Sequence, residues 1–273
     1  GLMNFINLAH GAFAMFGGYI GMNSGTVLTT QTESELAGVL AHEVSHVTQR
    51  HLARQVSAQS KNSILGMIAM AVALLAARSN SQAAMGAIAG SEAAMVQSFL
   101  SFSRDFEREA DRVGYEILEK AGFDPRGMSE FFERLQRATR VYENNAPVYM
   151  RSHPLTVERI SDMQNRSSRA PYKQIRDSLD YQLVRAKLRA QLGTAKEAVK
   201  DFEILLRDRK FASEAAVRHG LAFAYLRAKD FSAAEAELGF LKRQKPGSAM
   251  IDNLAAEIKV EGLAELNRAL QEL

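Results

Sequence analysis

One stretch restricts the possible folds of this chain more than any other. Thr32-Glu33-Ser34-Glu35 reads as a capping box. Behind it Leu36, Val39, Leu40, Val44 and Val47 recur at helical spacing, which predicts an amphipathic helix over residues 33–54. A stable fold has to bury that apolar stripe, and with it the sequence alongside, His42-Glu43-Val44-Ser45-His46. His42 and His46 are four residues apart and so share a helix face, one turn from each other. Both imidazoles can aim at a single zinc ion. Glu43 is turned about 100° from His42, beside that point rather than on it. A carboxylate there can take a proton from water whose pKa the metal has lowered. Two chance histidines on a surface helix would give the same letters, and the capping and flanking pattern argues against that reading.

Two histidines leave a zinc site incomplete. The longer pattern with a third histidine is broken, with Gln49 at its glycine and Leu52 at its last position. His51 falls on a different face from His42 and His46 and reads as a surface or helix-end residue. There is no cysteine, which excludes thiolate ligands and disulfides. A carboxylate further along is the better candidate. Phe99, Phe102, Phe106, Ala110, Val113, Ile117 and Leu118 mark another helix, ending at Gly122 before Asp124-Pro125. On it Glu107 and Asp111 share a face beside the apolar stripe, while Glu109 points away. Glu107 as third ligand completes a His-His-Glu site with one open position. Asp111, one turn on, can accept the outer N–H of a ligating histidine. A solvated charged face is the alternative, since Arg104, Arg108 and Arg112 are interleaved. Residues 144–154 then read as a loop, in which Pro154 holds His153 out of the α region. His153 is either solvent-exposed, an oxyanion donor, or an occupant of the open metal position.

The 273 residues suffice for two domains, and 47% hydrophobic with 24% charged residues is ordinary globular usage. Net charge is +3, with no basic arm, so nothing points to nucleic acid. The chain opens without a Lys/Arg-rich leader, as a secreted protein does after cleavage, and its true N-terminus is expected to lie outside this sequence. Residues 12–20 read as a strand, a Gly17-Gly18 bend and a second strand, with a turn at Asn23-Ser24-Gly25. An exposed edge of that small sheet would suit an extended peptide. Residues 63–77 are almost wholly apolar but short for a membrane span. With the weaker run 83–96 they predict a buried helical hairpin. The functional alternative is a flap over the cleft or a peripheral membrane contact through residues 63–96.

Ser167-Ser168-Arg169-Ala170-Pro171 reads as a linker. Beyond it Ala186, Arg189, Ala198, Phe202 and Leu205 recur as Ala222, Tyr225, Ala234, Leu238 and Leu241, a constant offset of 36. The turns are Gly193-Thr194 and Lys229-Asp230, Pro246 closes the second unit, and residues 247–273 read as a third, partial helix pair. The fold class is therefore mainly α: an α+β gluzincin-type catalytic domain over residues 1–166, then an α-helical tetratricopeptide-like solenoid over 172–273 with a concave binding surface. A rival of another class is a scaffold or chaperone-like binding protein whose zinc part is latent.

Gly17-Gly18-Tyr19-Ile20, Glu35 through His46, Phe106-Glu107-Arg108-Glu109-Ala110-Asp111 and Ser152-His153-Pro154 together resemble the HtpX / CAAX-prenyl-endopeptidase family of zinc peptidases. With the helical tail, the chain is similar to its periplasmic BepA-like branch. The resemblance implies one Zn2+ per chain on His42, His46 and Glu107, with Glu43 as catalytic base and Asp111 behind the ligands. It implies that His153 acts at the site as a fourth, self-inhibiting ligand. It also implies a periplasmic protease that cleaves unfolded or misassembled proteins in outer-membrane protein quality control, with the repeats meeting a partner such as the outer-membrane assembly machinery. Gly11 stands where the family usually has an asparagine, so that residue's substrate contact is not expected here.

Overall fold

The computed structural model describes residues 24–76, 81–141, 153–171, 173–244 and 247–271. Its elements are α1 (Ser24–Thr29), α2 (Glu33–Thr48), α3 (His51–Ala76), α4 (Ser81–Lys120), α5 (Arg126–Val141), α6 (Val157–Arg169), α7 (Leu179–Ala190), α8 (Ala195–Arg207), α9 (Glu214–Arg227), α10 (Phe231–Gln244) and α11 (Ala249–Gln271). No strand occurs among the described residues, and the strands expected within 12–20 lie outside them. Ser24 and Gly25, expected to turn, instead open α1. Two compact units emerge: residues 34–175, and residues 24–33 together with 176–271.

The first unit is built around α2. Leu36, Val39, Leu40 and Ala41 are buried, as are Phe106, Leu118, Phe131, Phe132, Leu135 and Met163 from α4, α5 and α6. Glycines let the backbones approach. A Cβ on Gly114 of α4 would meet the His42 backbone nitrogen at 3.0 Å, and one on Gly127 of α5 would meet the Ser34 carbonyl carbon at 2.6 Å. Glu35, nearly fully buried, accepts from Arg134 of α5 at 2.6 Å. Asp124 caps α5, accepting from the Arg126 N–H at 3.0 Å.

The helix expected to reach residue 54 stops at Thr48. Arg50 adopts φ 55°, and its N–H bonds back to Val47 O. This left-handed residue, costly for an arginine, redirects the chain, and α3 starts at His51. Then α3 and α4 form a helical hairpin, with α4 continuous over 40 residues, so the 83–96 run and the phenylalanine stripe are one helix. The hairpin expectation holds, but among the side chains described on α3 the expected burial does not. Ile64, Met67, Ile68 and Met70 are 44–63% exposed. The run is apolar around its circumference, and a hairpin partner covers only one side. None of the described helices is long and apolar enough to cross a membrane. Helix α6, capped by the Thr156 side chain, continues through Ser167 and Ser168, residues expected to be linker.

In the second unit the 36-residue offset is visible as geometry. Gly193 and Lys229 both take positive φ, and Thr194 and Asp230 follow as helix caps. Thr194 and Glu197 form a reciprocal capping box. Ala186, Ala198, Phe202, Ala222, Ala234 and Leu241 enter one core with Leu183, Leu221, Ile251 and Leu254. Gly220 sits so close to the Phe202 ring that no Cβ would fit. Helix α1 packs with α7, and the Thr30 hydroxyl meets the Tyr181 hydroxyl at 3.2 Å. The expected third helix pair is instead the single helix α11. At the next 36-residue position, Glu265, the chain continues in helix.

Candidate metal centre

Helix α2 carries His42 and His46 one turn apart, and α4 carries Glu107 and Asp111 one turn apart. The Gly114 contact brings the two helices together beside His42. His153 arrives from the segment before α6. Four side chains converge as a result: His42, His46, Glu107 and His153, each with one ligand atom within 4.8 Å of the others. His46 Nε2 is 3.0 Å from His42 Nε2, and His153 Nδ1 is 3.3 Å from His42 Nε2. Glu107 Oε2 lies 3.4 Å from His42 Nε2, while Glu107 Oε1 lies 3.3 Å from His46 Nε2 and 3.1 Å from His153 Nδ1. A tetrahedral metal with bonds of about 2.0–2.1 Å needs donors roughly 3.3–3.4 Å apart. The cluster has that spacing, with three imidazoles and a carboxylate, a donor set suited to a borderline divalent cation.

The electrostatics favour positive charge at this point. Burial opposes protonation of His42, yet the Asp111 and Glu107 carboxylates outweigh it and hold the ring's pKa at about 9. Burial would raise the Glu107 pKa, but hydrogen bonds with His153, His42 and His46 hold it far below the usual carboxylate range. Asp111 is lowered likewise, against burial, by Arg159 and His42.

Behind the donors each group is held. Asp111 Oδ1 is 2.9 Å from His42 Nδ1. Arg159, buried in the first turn of α6, donates to both Asp111 oxygens at 2.6 and 2.7 Å and to Pro154 O at 2.7 Å, and its Nη1 forms an ion pair with Glu107 Oε2 at 2.8 Å. One guanidinium thus fixes both carboxylates and the residue after His153. Removing one member of such a buried charged set costs roughly 3–5 kcal/mol. Arg159 went unrecognised in the sequence. Its signal was the pair of inward-facing carboxylates, which require a buried cation. Glu43 is partly exposed, and its Oε1 lies 3.3 Å from His153 Nε2.

His51 is not a surface residue. It is buried, stacked on Phe106 with ring centroids 4.6 Å apart, and its Nδ1 lies 2.9 Å from His46 Nδ1. Glu109 does not point into solvent alone. It is 3.2 Å from His51 Nε2 and accepts from Arg54 at 2.7 Å. The turn at Arg50 is the reason: face assignments made on one continuous helix do not survive its break.

Comparison with known proteins agrees with this chemistry. Residues 6–167 match the sequence profile of Peptidase family M48. A Vibrio cholerae protein assigned as a beta-barrel assembly-enhancing protease is 39% identical over 86% of this chain and 49% of its own length. The beta-barrel assembly-enhancing protease of Escherichia coli K12 is 32% identical over 96% of this chain and 54% of its own. Metalloprotease LoiP of the same strain is 30% identical over 58% of each chain. This chain spans about half the length of the curated assembly-enhancing relatives it matches.

Proposed function

The chain belongs to peptidase family M48, and from that premise we propose that it is a zinc-dependent endopeptidase acting on extended segments of unfolded or misassembled proteins. The observation that carries this reading is the convergence of His42, His46 and Glu107 at metal-ligand spacing, with Glu43 on the same helix beside them. When bound, a zinc ion would supply Lewis-acid polarisation of the scissile carbonyl and a lowered pKa for water. His42, His46 and Glu107 would hold it. Glu43 accepts the proton of the attacking water at its carboxylate and returns it to the leaving amine. Asp111 and Arg159 keep the ligands oriented. Glu43→Gln tests the reading in the full chain: zinc content should stay near one per chain while casein hydrolysis disappears. Hydrolysis at the wild-type rate would overturn it.

His153 supplies the fourth donor and also faces the base, which supports a self-inhibited resting state. The rival reading, a binding protein with a latent zinc domain, draws on the same closure. It would be favoured by a zinc-loaded chain that stays inactive after His153 is removed. The division of labour assigns peptidase chemistry to residues 1–166 and substrate or partner binding to the tetratricopeptide-like residues 172–273. The names of the assembly-enhancing relatives suit a periplasmic setting, outer-membrane protein quality control and a partner in the outer-membrane assembly machinery. The exposed stripe Leu52, Val56, Ile64, Met67 and Ile68 on α3 suits peripheral contact with a membrane, and failure of the chain to sediment with lipid vesicles would remove that contact.

A further inference from the structure

Two histidines on α2 face the donor cluster, but only one touches a carboxylate with its outer nitrogen. His42 Nδ1 meets Asp111 directly at 2.9 Å. His46 Nδ1 meets another imidazole nitrogen, His51 Nδ1, at 2.9 Å, and the far nitrogen of that ring, Nε2, lies 3.2 Å from Glu109 Oε2. The chemistry of this chain of contacts allows one consistent arrangement of protons. For His46 Nε2 to offer a lone pair to the cluster, its ring must be neutral with the proton on Nδ1. That N–H can only donate, so His51 Nδ1 must accept. His51 then carries its proton on Nε2 and donates it to the Glu109 carboxylate.

We propose that His51 and Glu109 are positioning residues for the metal centre, a relay in which the Glu109 carboxylate sets the tautomer of His51 and His51 sets that of His46. The relay rests on the reading of His42, His46 and Glu107 as metal ligands. Its parts are themselves held in place. His51 is 3% exposed and stacked on Phe106, whose neighbour in sequence is Glu107. Glu109 is gripped by Arg54, which lies over the other partner in the stack, Phe106, at 4.8 Å. The turn at Arg50 is what makes the relay possible, since residues 46 and 51 on an unbroken helix point in different directions. With it, the less buried of the two histidine ligands gains through His51 a carboxylate anchor like the one Asp111 gives His42 directly. Outer partners of this kind typically change metal affinity 10–100-fold when removed.

The test uses the full chain and zinc alone, titrated against a chelator of known affinity, with casein hydrolysis as a second readout. His51→Phe keeps the stack and deletes both nitrogens. Glu109→Met keeps the length at a partly exposed site and removes the oxygens that accept from His51. Both should retain wild-type circular dichroism and bind zinc about 10–100-fold more weakly, with hydrolysis at saturating zinc reduced less than at limiting zinc. Nitrogen-15 spectra of the zinc-loaded wild type should show His51 protonated on Nε2 and His46 on Nδ1. That spectrum decides the matter even where His51→Phe fails to fold. Unchanged zinc affinity in either folded variant, or His51 protonated on Nδ1, overturns the relay. A wild-type chain that binds no zinc overturns the metal-centre reading instead, before any variant is compared.

Discussion

At the scale of single residues, His153 is the group whose role depends most on where it sits. Its Nδ1 occupies the fourth corner of the donor cluster, and its Nε2 lies 3.3 Å from the Glu43 carboxylate. On the proposed reading, a histidine so placed would occupy the position of the reacting water and sit against the base at the same time. It also comes from the segment before α6 rather than from the two helices that carry the other donors, so it can leave without dismantling them. His153→Ala is therefore expected to raise basal casein hydrolysis while zinc stays bound. An oxyanion donor would behave oppositely, with a loss of about a hundredfold or more. A fall of that size in the variant would end the switch interpretation. The residue's chemistry was legible in sequence as a set of options, because Pro154 marks it as a loop residue. The distances to Glu107 and Glu43 favour the metal position among those options, and His153→Ala decides between them.

At the scale of elements, the site exists because α4 crosses α2 at a glycine. A Cβ at Gly114 would lie 3.0 Å from the His42 nitrogen and 3.1 Å from the Ala41 carbonyl carbon, both backbone atoms that cannot move aside alone. Gly114→Val should therefore push the helices apart, destabilising the chain by about 1–3 kcal/mol, as overpacking does, and weakening zinc binding with it. Gly90, on the same helix, has open space around its missing side chain. Gly90→Ala should instead stabilise by about 0.5–1 kcal/mol. Denaturant unfolding of the two variants checks both signs, and equal effects would sink the crossing argument. Helix existence was readable from apolar spacing in α2, α4 and α7–α10. The Thr48 stop and the exposed outer side of α3 were not. The first depends on a left-handed arginine that carries no sequence mark, and the second on how many neighbours a helix acquires.

At the scale of the whole molecule, the repeat unit holds a buried histidine that contributes to how the chain responds to acid. His219 is fully buried in α9, and burial pushes its pKa down to about 4. The unfolded chain titrates this ring near 6.5. Between those values the unfolded state binds more protons, so stability is complete above about 6.5 and is lost as pH falls toward 4. The loss from this residue should reach about 2 kcal/mol at pH 5. Denaturant unfolding at pH 7.5 and pH 5 should show it, and His219→Leu should flatten the difference; an undiminished pH effect in that variant would assign the loss to other groups. The 36-residue register of this unit was determined by sequence alone. Local signals carry it: glycine or lysine at the positive-φ turn, a capping residue next, and alanines where helices touch. The same is true of the His42-Glu43-His46 motif and of Glu107 and Asp111 sharing a face, since helical periodicity relates residues a turn apart. Tertiary structure decided what lies beyond that range. Arg159 between the two carboxylates, His51 behind His46, and Glu109 behind His51 join residues up to 58 positions apart. Their meeting depends on a turn at Arg50 and a helix crossing at Gly114, and a periodic pattern within one helix contains no information about either.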